Sequence, residues 1–158
     1  MTGRSGRAKA SPSGAFLLDV NVLVALAWPT HVHHSAARRW FAGAHRQGWA
    51  TAPVTEFGFV RVSSNAAAVG DPLTPAEAIA LLGEIRGRPG HESWVDDVSP
   101  TETRWVDPAR LVGYRQVTDA HLLGLARRHG GRLATLDHRL TDLAGRQDAT
   151  VLTAIPHT

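Results

Sequence analysis

The sequence predicts an α/β protein of three layers, α/β/α, with a five-stranded parallel sheet between two layers of helices. Three observations lead there. Short apolar runs alternate with helical patterns along the chain, which is the signature of consecutive βαβ units. Two of those runs, the first at 16–18 and the fourth at 132–137, stop at a carboxylate, Asp19 and Asp137. The length of 158 residues suits one domain able to bury about 70% of the surface its unfolded chain exposes.

Residues 1–14, MTGRSGRAKASPSG, show no periodicity and are expected to form a tail outside a single domain of residues 15–158. Phe16, Leu17 and Leu18 read as a strand buried on both faces, ending at Asp19. From Asn21 the pattern is helical and almost wholly apolar, and Pro29 stops it. Asp19 reads as an acid at the rim of the sheet, or else Asp19 or Asn21 merely caps that helix. A loop with His31, His33 and His34 leads to a helix over 35–47 with Ala37, Trp40, Phe41 and Ala44 inward and Gly48 at its end. The three histidines read as a solvent-exposed loop rather than a zinc site, because no downstream partner completes a ligand pattern.

Trp49–Ala52 is the second strand, and Pro53 opens a helix to about Ser64 with Glu56 in its first turn. Glu56 either stabilises the helix dipole or adds a second carboxylate to the rim of Asp19. Thr74–Glu77 forms a capping box opening a helix to about Arg86, with Ile79, Leu82 and Ile85 inward. Ser93–Val98 gives the third strand, with Asp96 and Asp97 near its end. Asp107 and Pro108 start a short helix ending near Gly113. Thr118 is expected to cap a further helix that carries Asp119 in its first turn and closes at Gly130 and Gly131. Arg132–Asp137 is the fourth strand and Ala149–Thr153 the fifth.

Composition narrows the chemistry. There is no cysteine, so any metal is held by oxygen or imidazole, and a reducing compartment is compatible. No apolar run approaches the roughly 20 residues of a membrane span, and the expectation is a cytoplasmic protein with no membrane association. The net charge is +3, with Lys9 the one lysine among 17 cationic residues. Arginine's planar fork suits phosphate, which hints at a nucleic-acid partner.

If the first strand is central and the fourth lies beside it, Asp19 and Asp137 flank one crevice at a topological switch point. Glu56 and Asp119, each in the first turn of a bordering helix, can point into it. Two carboxylates about 5 Å apart repel by about 3 kcal/mol at an effective dielectric near 20, so a cluster of four needs protons or a cation. An all-oxygen donor set selects a hard ion, Mg²⁺ or Mn²⁺, of the kind that engages phosphates. No Ser-His-Asp order, phosphate-binding glycine loop or GxGxxG fingerprint competes.

The stretches LLDVNVLVAL, TEFGFVRV, VTDAHLLGLARRHG and LATLDHRL, in that order, resemble the PIN-domain ribonucleases, in particular the VapC-type toxins of bacterial toxin-antitoxin pairs. The resemblance spans about residues 15–154. It implies a PIN-like fold and a Mg²⁺- or Mn²⁺-dependent endoribonuclease with Asp19, Glu56, Asp119 and Asp137 as catalytic, metal-holding acids. Asn21, Thr118 and Thr135 match supporting polar positions. It further implies an RNA substrate, a cognate antitoxin and a homodimer. Three rival readings compete. A receiver domain built on Asp96 or Asp97 lacks the lysine it requires, since Lys9 lies in the tail. A catalytically inactive PIN binding module fits less well with all four acids present. A housekeeping nuclease processing RNA or DNA is the nearest competitor.

Overall fold

The computed structural model describes residues 14–145 and 151–158. The expected tail, except Gly14, and the first two residues of the expected fifth strand therefore lie outside the described residues. The elements run β1 (Phe16–Leu18), α1 (Val20–Ala27), α2 (His34–Ala44), β2 (Trp49–Thr51), α3 (Pro53–Ser63), α4 (Pro75–Arg86), β3 (His91–Ser93), α5 (Val117–Arg128), β4 (Arg132–Thr135), α6 (Leu140–Ala144) and β5 (Leu152–Ala154). Single 3₁₀ turns occupy His45–Gln47, Pro108–Arg110 and Tyr114–Gln116.

All strand pairs are parallel, in the order β3-β2-β1-β4-β5. The chain thus grows from β1 towards one edge through β2 and β3, then returns to its other side through β4 and β5. That reversal is the expected switch point. The register pairs Leu18 with Ala134, so the next residues, Asp19 and Thr135, emerge side by side at the carboxyl ends of the two central strands.

Alternation along β1 divides the core into two layers. Leu17 packs with Leu133, Trp94 and the α5 residues Leu122, Leu125 and Ala126. Phe16 and Leu18 face the other way, towards Val22 and Leu23 of α1, Phe59 of α3 and Leu82 of α4. Helices therefore cover both faces of the sheet, as the unbroken apolar run of β1 requires.

The structure departs from the expected elements in four places. The third strand is His91–Ser93, not Ser93–Val98. Its partner β2 ends at Thr51 and Pro53 already begins α3, which leaves residues 95–98 no strand to pair with. Trp94 instead turns into the core, and Asp96 and Asp97 bind His121 and Arg128 on α5 at 2.7 and 3.1 Å. Thr118 does not cap α5, because the 3₁₀ turn Tyr114–Gln116 runs straight into the helix and leaves Gln116, in αR geometry, as the flanking residue. Ile79 is exposed, its place in the α4 interior taken by Ala78. Pro108 opens only a 3₁₀ turn ending at Arg110.

One close approach positions the site. A Cβ built on Gly58 of α3 would stand 2.6 Å from Val20 Cγ2 at the start of α1. The glycine lets the helix bearing Glu56 lie against the helix that follows Asp19. Gly58→Ala is expected to destabilise the protein by about 1–3 kcal/mol through overpacking, measured by urea unfolding. An unchanged midpoint would mean that the two helices separate freely.

Candidate active site

The residue emerging from β1, Asp19, has an extended backbone and acts as N-cap of α1. Its Oδ1 accepts the Val20 N–H at 2.7 Å and its Oδ2 accepts the Thr135 hydroxyl at 2.7 Å. The capping role and the rim position are thus both real. Thr135, wholly buried at the end of β4, uses its full bonding capacity. While donating to Asp19 it accepts from Asn21 Nδ2 at 3.2 Å and from the Asp137 N–H at 3.0 Å. Asn21 Oδ1 in turn accepts the Leu136 N–H at 3.1 Å. Asn21 and Thr135 therefore stand where the supporting polar residues were expected, bracing the stretch that ends in Asp137.

Electrostatics shows which acids share the crevice. Burial pushes the Asp19 carboxyl up; the bonds from Thr135 and Val20 pull it down, and nearby Asp137 pushes it up again. Asp119, in the first turn of α5, is pushed up to about 6, by burial first and then by Asp19 and Asp137. Asp137 instead lies below the usual carboxylate range, because Arg139 grips it. The guanidinium makes two contacts, Nε to Oδ1 at 3.0 Å and Nη2 to Oδ2 at 2.9 Å, and the Arg139 backbone N–H adds a third bond to Oδ1 at 3.0 Å.

Glu56 is held by partners of its own. It is not among the groups that shift Asp19, Asp119 or Asp137. Its Oε1 takes the hydroxyl of buried Thr51 at 2.6 Å and Arg86 Nε at 3.3 Å. Because Thr51 spends its only proton on Glu56, the 2.8 Å contact between Thr51 Oγ1 and His91 Nε2 is a donation from the imidazole. The structure thus couples three of the four expected acids to one another and ties the fourth to Thr51 and Arg86. Thr118 is exposed and joins neither.

The donor set suits a hard cation. Asp119 is half-buried, borders two further carboxylates and accepts no hydrogen bond from the described residues. A carboxylate in that position lacks the donors that normally compensate burial, and a cation beside it would offset the uncompensated charge. Among the described residues no group of three or more His, Asp or Glu side chains is already set in ligand geometry. Arg139, beside Asp137 and close enough to Asp119 to feel its charge, is the resident cation of the crevice. A cavity of about 620 Å³ lies elsewhere, between α1, α2 and α4, and includes none of the four acids.

Arg139, Arg86 and His91 were not singled out in the sequence. Arg139 had a local signal, two residues beyond Asp137; Arg86 and His91 reach Glu56 and Thr51 only through the sheet order, and nothing local marks them.

The raised Asp119 value has a signed consequence. Folded, this group releases its proton near pH 6, whereas its ordinary value is 3.8. Between those values the folded state holds more of the proton, so metal-free stability falls as pH rises through that window, and the loss is complete above pH 6. In EDTA at pH 7.5 Asp119→Asn is expected to exceed the parent in stability by about 1 kcal/mol, discounted for the half-exposed carboxylate. The difference should vanish towards pH 4 and shrink on adding Mg²⁺. Urea unfolding across pH checks it, and equal stabilities at pH 7.5 in EDTA would remove the case for charge strain at Asp119.

The comparisons agree with this geometry. The family model of the PIN domain matches residues 16–146. Ribonuclease VapC39 of Mycobacterium tuberculosis is 51% identical over 128 residues, covering 81% of this chain and 92% of the relative. Ribonuclease VapC38 of the same organism is 49% identical over 134 residues, 85% of this chain and 93% of that protein. Ribonuclease VapC44 is 41% identical over 140 residues, 89% and 91% respectively. With a parallel five-stranded sheet and acids gathered at its switch point, the chain belongs to the PIN domain family and, within it, to the VapC group.

Proposed function

We propose that this chain is an endoribonuclease dependent on Mg²⁺ or Mn²⁺, acting in the cytoplasm as a growth-inhibiting toxin held in check by a cognate antitoxin. The observation carrying the catalytic part is the convergence of Asp19, Asp119 and Asp137, with Asp119 lacking any hydrogen-bond donor. Relatives that bear the name ribonuclease support it over most of their length. The toxin role and the antitoxin follow from the VapC resemblance, as does a homodimer.

Asp19, Asp119 and Asp137 would hold the ion, with Glu56 as the fourth acid of the resemblance. When bound, such an ion neutralises charge on the phosphate and makes water more acidic, the two demands of phosphodiester hydrolysis. The chain's own residues do the positioning. Thr135 fixes one oxygen of Asp19 through its hydroxyl, and Val20 fixes the other through its backbone N–H. Asn21 locks the peptide leading to Asp137, so that two of the acids are set by one hydrogen-bonded unit. Arg139, whose side chain is 85% exposed, is free to leave Asp137 for a phosphate oxygen when RNA arrives.

Asp19→Asn and Asp137→Asn are each expected to abolish cleavage of single-stranded RNA in Mn²⁺ with the fold intact. Product ends read by sequencing, beside circular dichroism of each variant, check this, and full activity in either folded variant would overturn the site. In cells, expression of the chain should arrest growth, Asp119→Asn should be harmless, and co-expression of the neighbouring small open reading frame should restore growth. If the folded wild-type chain is equally harmless, the toxin reading gives way to a processing nuclease.

A further inference from the structure

Three histidines from separate parts of the chain meet beside the acid crevice. His33 lies in the loop between α1 and α2, His138 directly follows Asp137, and His157 lies beyond β5. Their rings form a stack, with centroids 4.1 Å apart for His33 and His157 at an interplanar angle of 28°, and 4.2 Å apart for His157 and His138 at 31°. His31 adds a tilted ring 5.8 Å from His33.

Two of the three are pinned reciprocally. His138 Nε2 contacts the Ile155 carbonyl at 2.9 Å, and His157 Nε2 contacts the Leu136 carbonyl at 2.8 Å. A carbonyl only accepts, so both rings carry their proton on Nε2. Leu136 is the residue between Thr135 and Asp137, and its N–H is held by Asn21. The stack is therefore bonded to the same short stretch that presents Asp137.

His33 differs from its two neighbours. Its ring makes no hydrogen bond to the described residues, and it is held against His157 by stacking alone. The clamp between the C-terminal segment and the turn after β4 is complete without it. Burial, followed by the adjacent His157 and His138, keeps the His33 imidazole below its usual range. What His33 adds is one more π-face, continuous with the rings of His138 and His157, both exposed residues.

We propose that the stacked imidazoles of His33, His157 and His138 are a base-stacking subsite, taking a nucleobase of single-stranded RNA next to the phosphate that enters the acid crevice. The inference rests on the ribonuclease reading above and deepens it. An acid cluster repels the phosphate backbone, so the flanking nucleotides need contacts that do not depend on charge. Unstacked bases find them on aromatic side chains, histidine included, whatever their identity. Such a subsite confers affinity and position without a strict sequence requirement.

The test uses the full chain with Asp119→Asn to stop cleavage and a fluorescein-labelled single-stranded RNA oligomer read by anisotropy. Adding His33→Ala should weaken binding about tenfold, the scale of one lost base stack. His33→Phe, which keeps a flat π-face but no ring nitrogen, should bind within about twofold of the Asp119→Asn reference, as expected if stacking carries the affinity. An abasic ribose-phosphate oligomer should bind all three alike. In the active protein, His33→Ala should raise KM for RNA with kcat nearly unchanged, and melting curves should show all variants folded. Unchanged binding by His33→Ala, or equal loss in the Ala and Phe variants, overturns the subsite while leaving cleavage by the parent intact. If the parent neither binds nor cleaves RNA in Mn²⁺, the ribonuclease reading fails and the subsite falls with it.

Discussion

The Thr135 hydroxyl is the joint on which the crevice depends. It donates to Asp19 and accepts from both Asn21 and the Asp137 backbone, so one buried oxygen links the end of β1, the first turn of α1 and the turn after β4. This is possible because β1 and β4 pair in parallel with Leu18 opposite Ala134, which delivers Asp19 and Thr135 at the same height. A one-residue slip would turn every side chain of β4 to the other face of the sheet. Thr135 would then leave the site and Leu133 would leave its layer of the core. Packing and the geometry of the acid crevice are thus specified by the same register.

The parallel sheet and the two strand-end acids were legible in the sequence because each has a local signature, whereas the strand order entered only as a condition that the structure meets. An apolar run that ends in a carboxylate marks the rim of a parallel sheet wherever it occurs, and Asp19 and Asp137 both satisfy it. The destination of Glu56 was not legible. Its place in the first turn of α3 is as expected, yet its partners Arg86, Thr51 and His91 come from three other stretches. Thr118 shows a different limit. A threonine before an acid reads as a cap, but a preceding 3₁₀ turn removed the extended residue that a cap requires. The third strand misled for a third reason. Trp94, Val95 and Val98 have strand propensity, but a strand needs a neighbour, and β2 is too short to supply one. The histidine stack left no trace in any single window, since its members are separated by most of the chain.

The charge balance of the crevice is uneven, and the unevenness follows from where the donors are. Asp19 is the most buried of the three acids but has two donors of its own. Asp137 is the most exposed and has the Arg139 fork. Asp119 lies between them in burial and has neither, so burial first, and the repulsion from Asp19 and Asp137 after it, go uncompensated there and hold its proton to about pH 6. A site designed only to be stable would place a donor beside Asp119. Its absence leaves one carboxylate with no donor among the described residues, while Asp19 and Asp137 are already fixed in place. Under the proposed function, a cation entering this crevice would meet two oriented carboxylates and one that gains most by its arrival, a division of labour set by a single hydroxyl, a single guanidinium and the register of two strands.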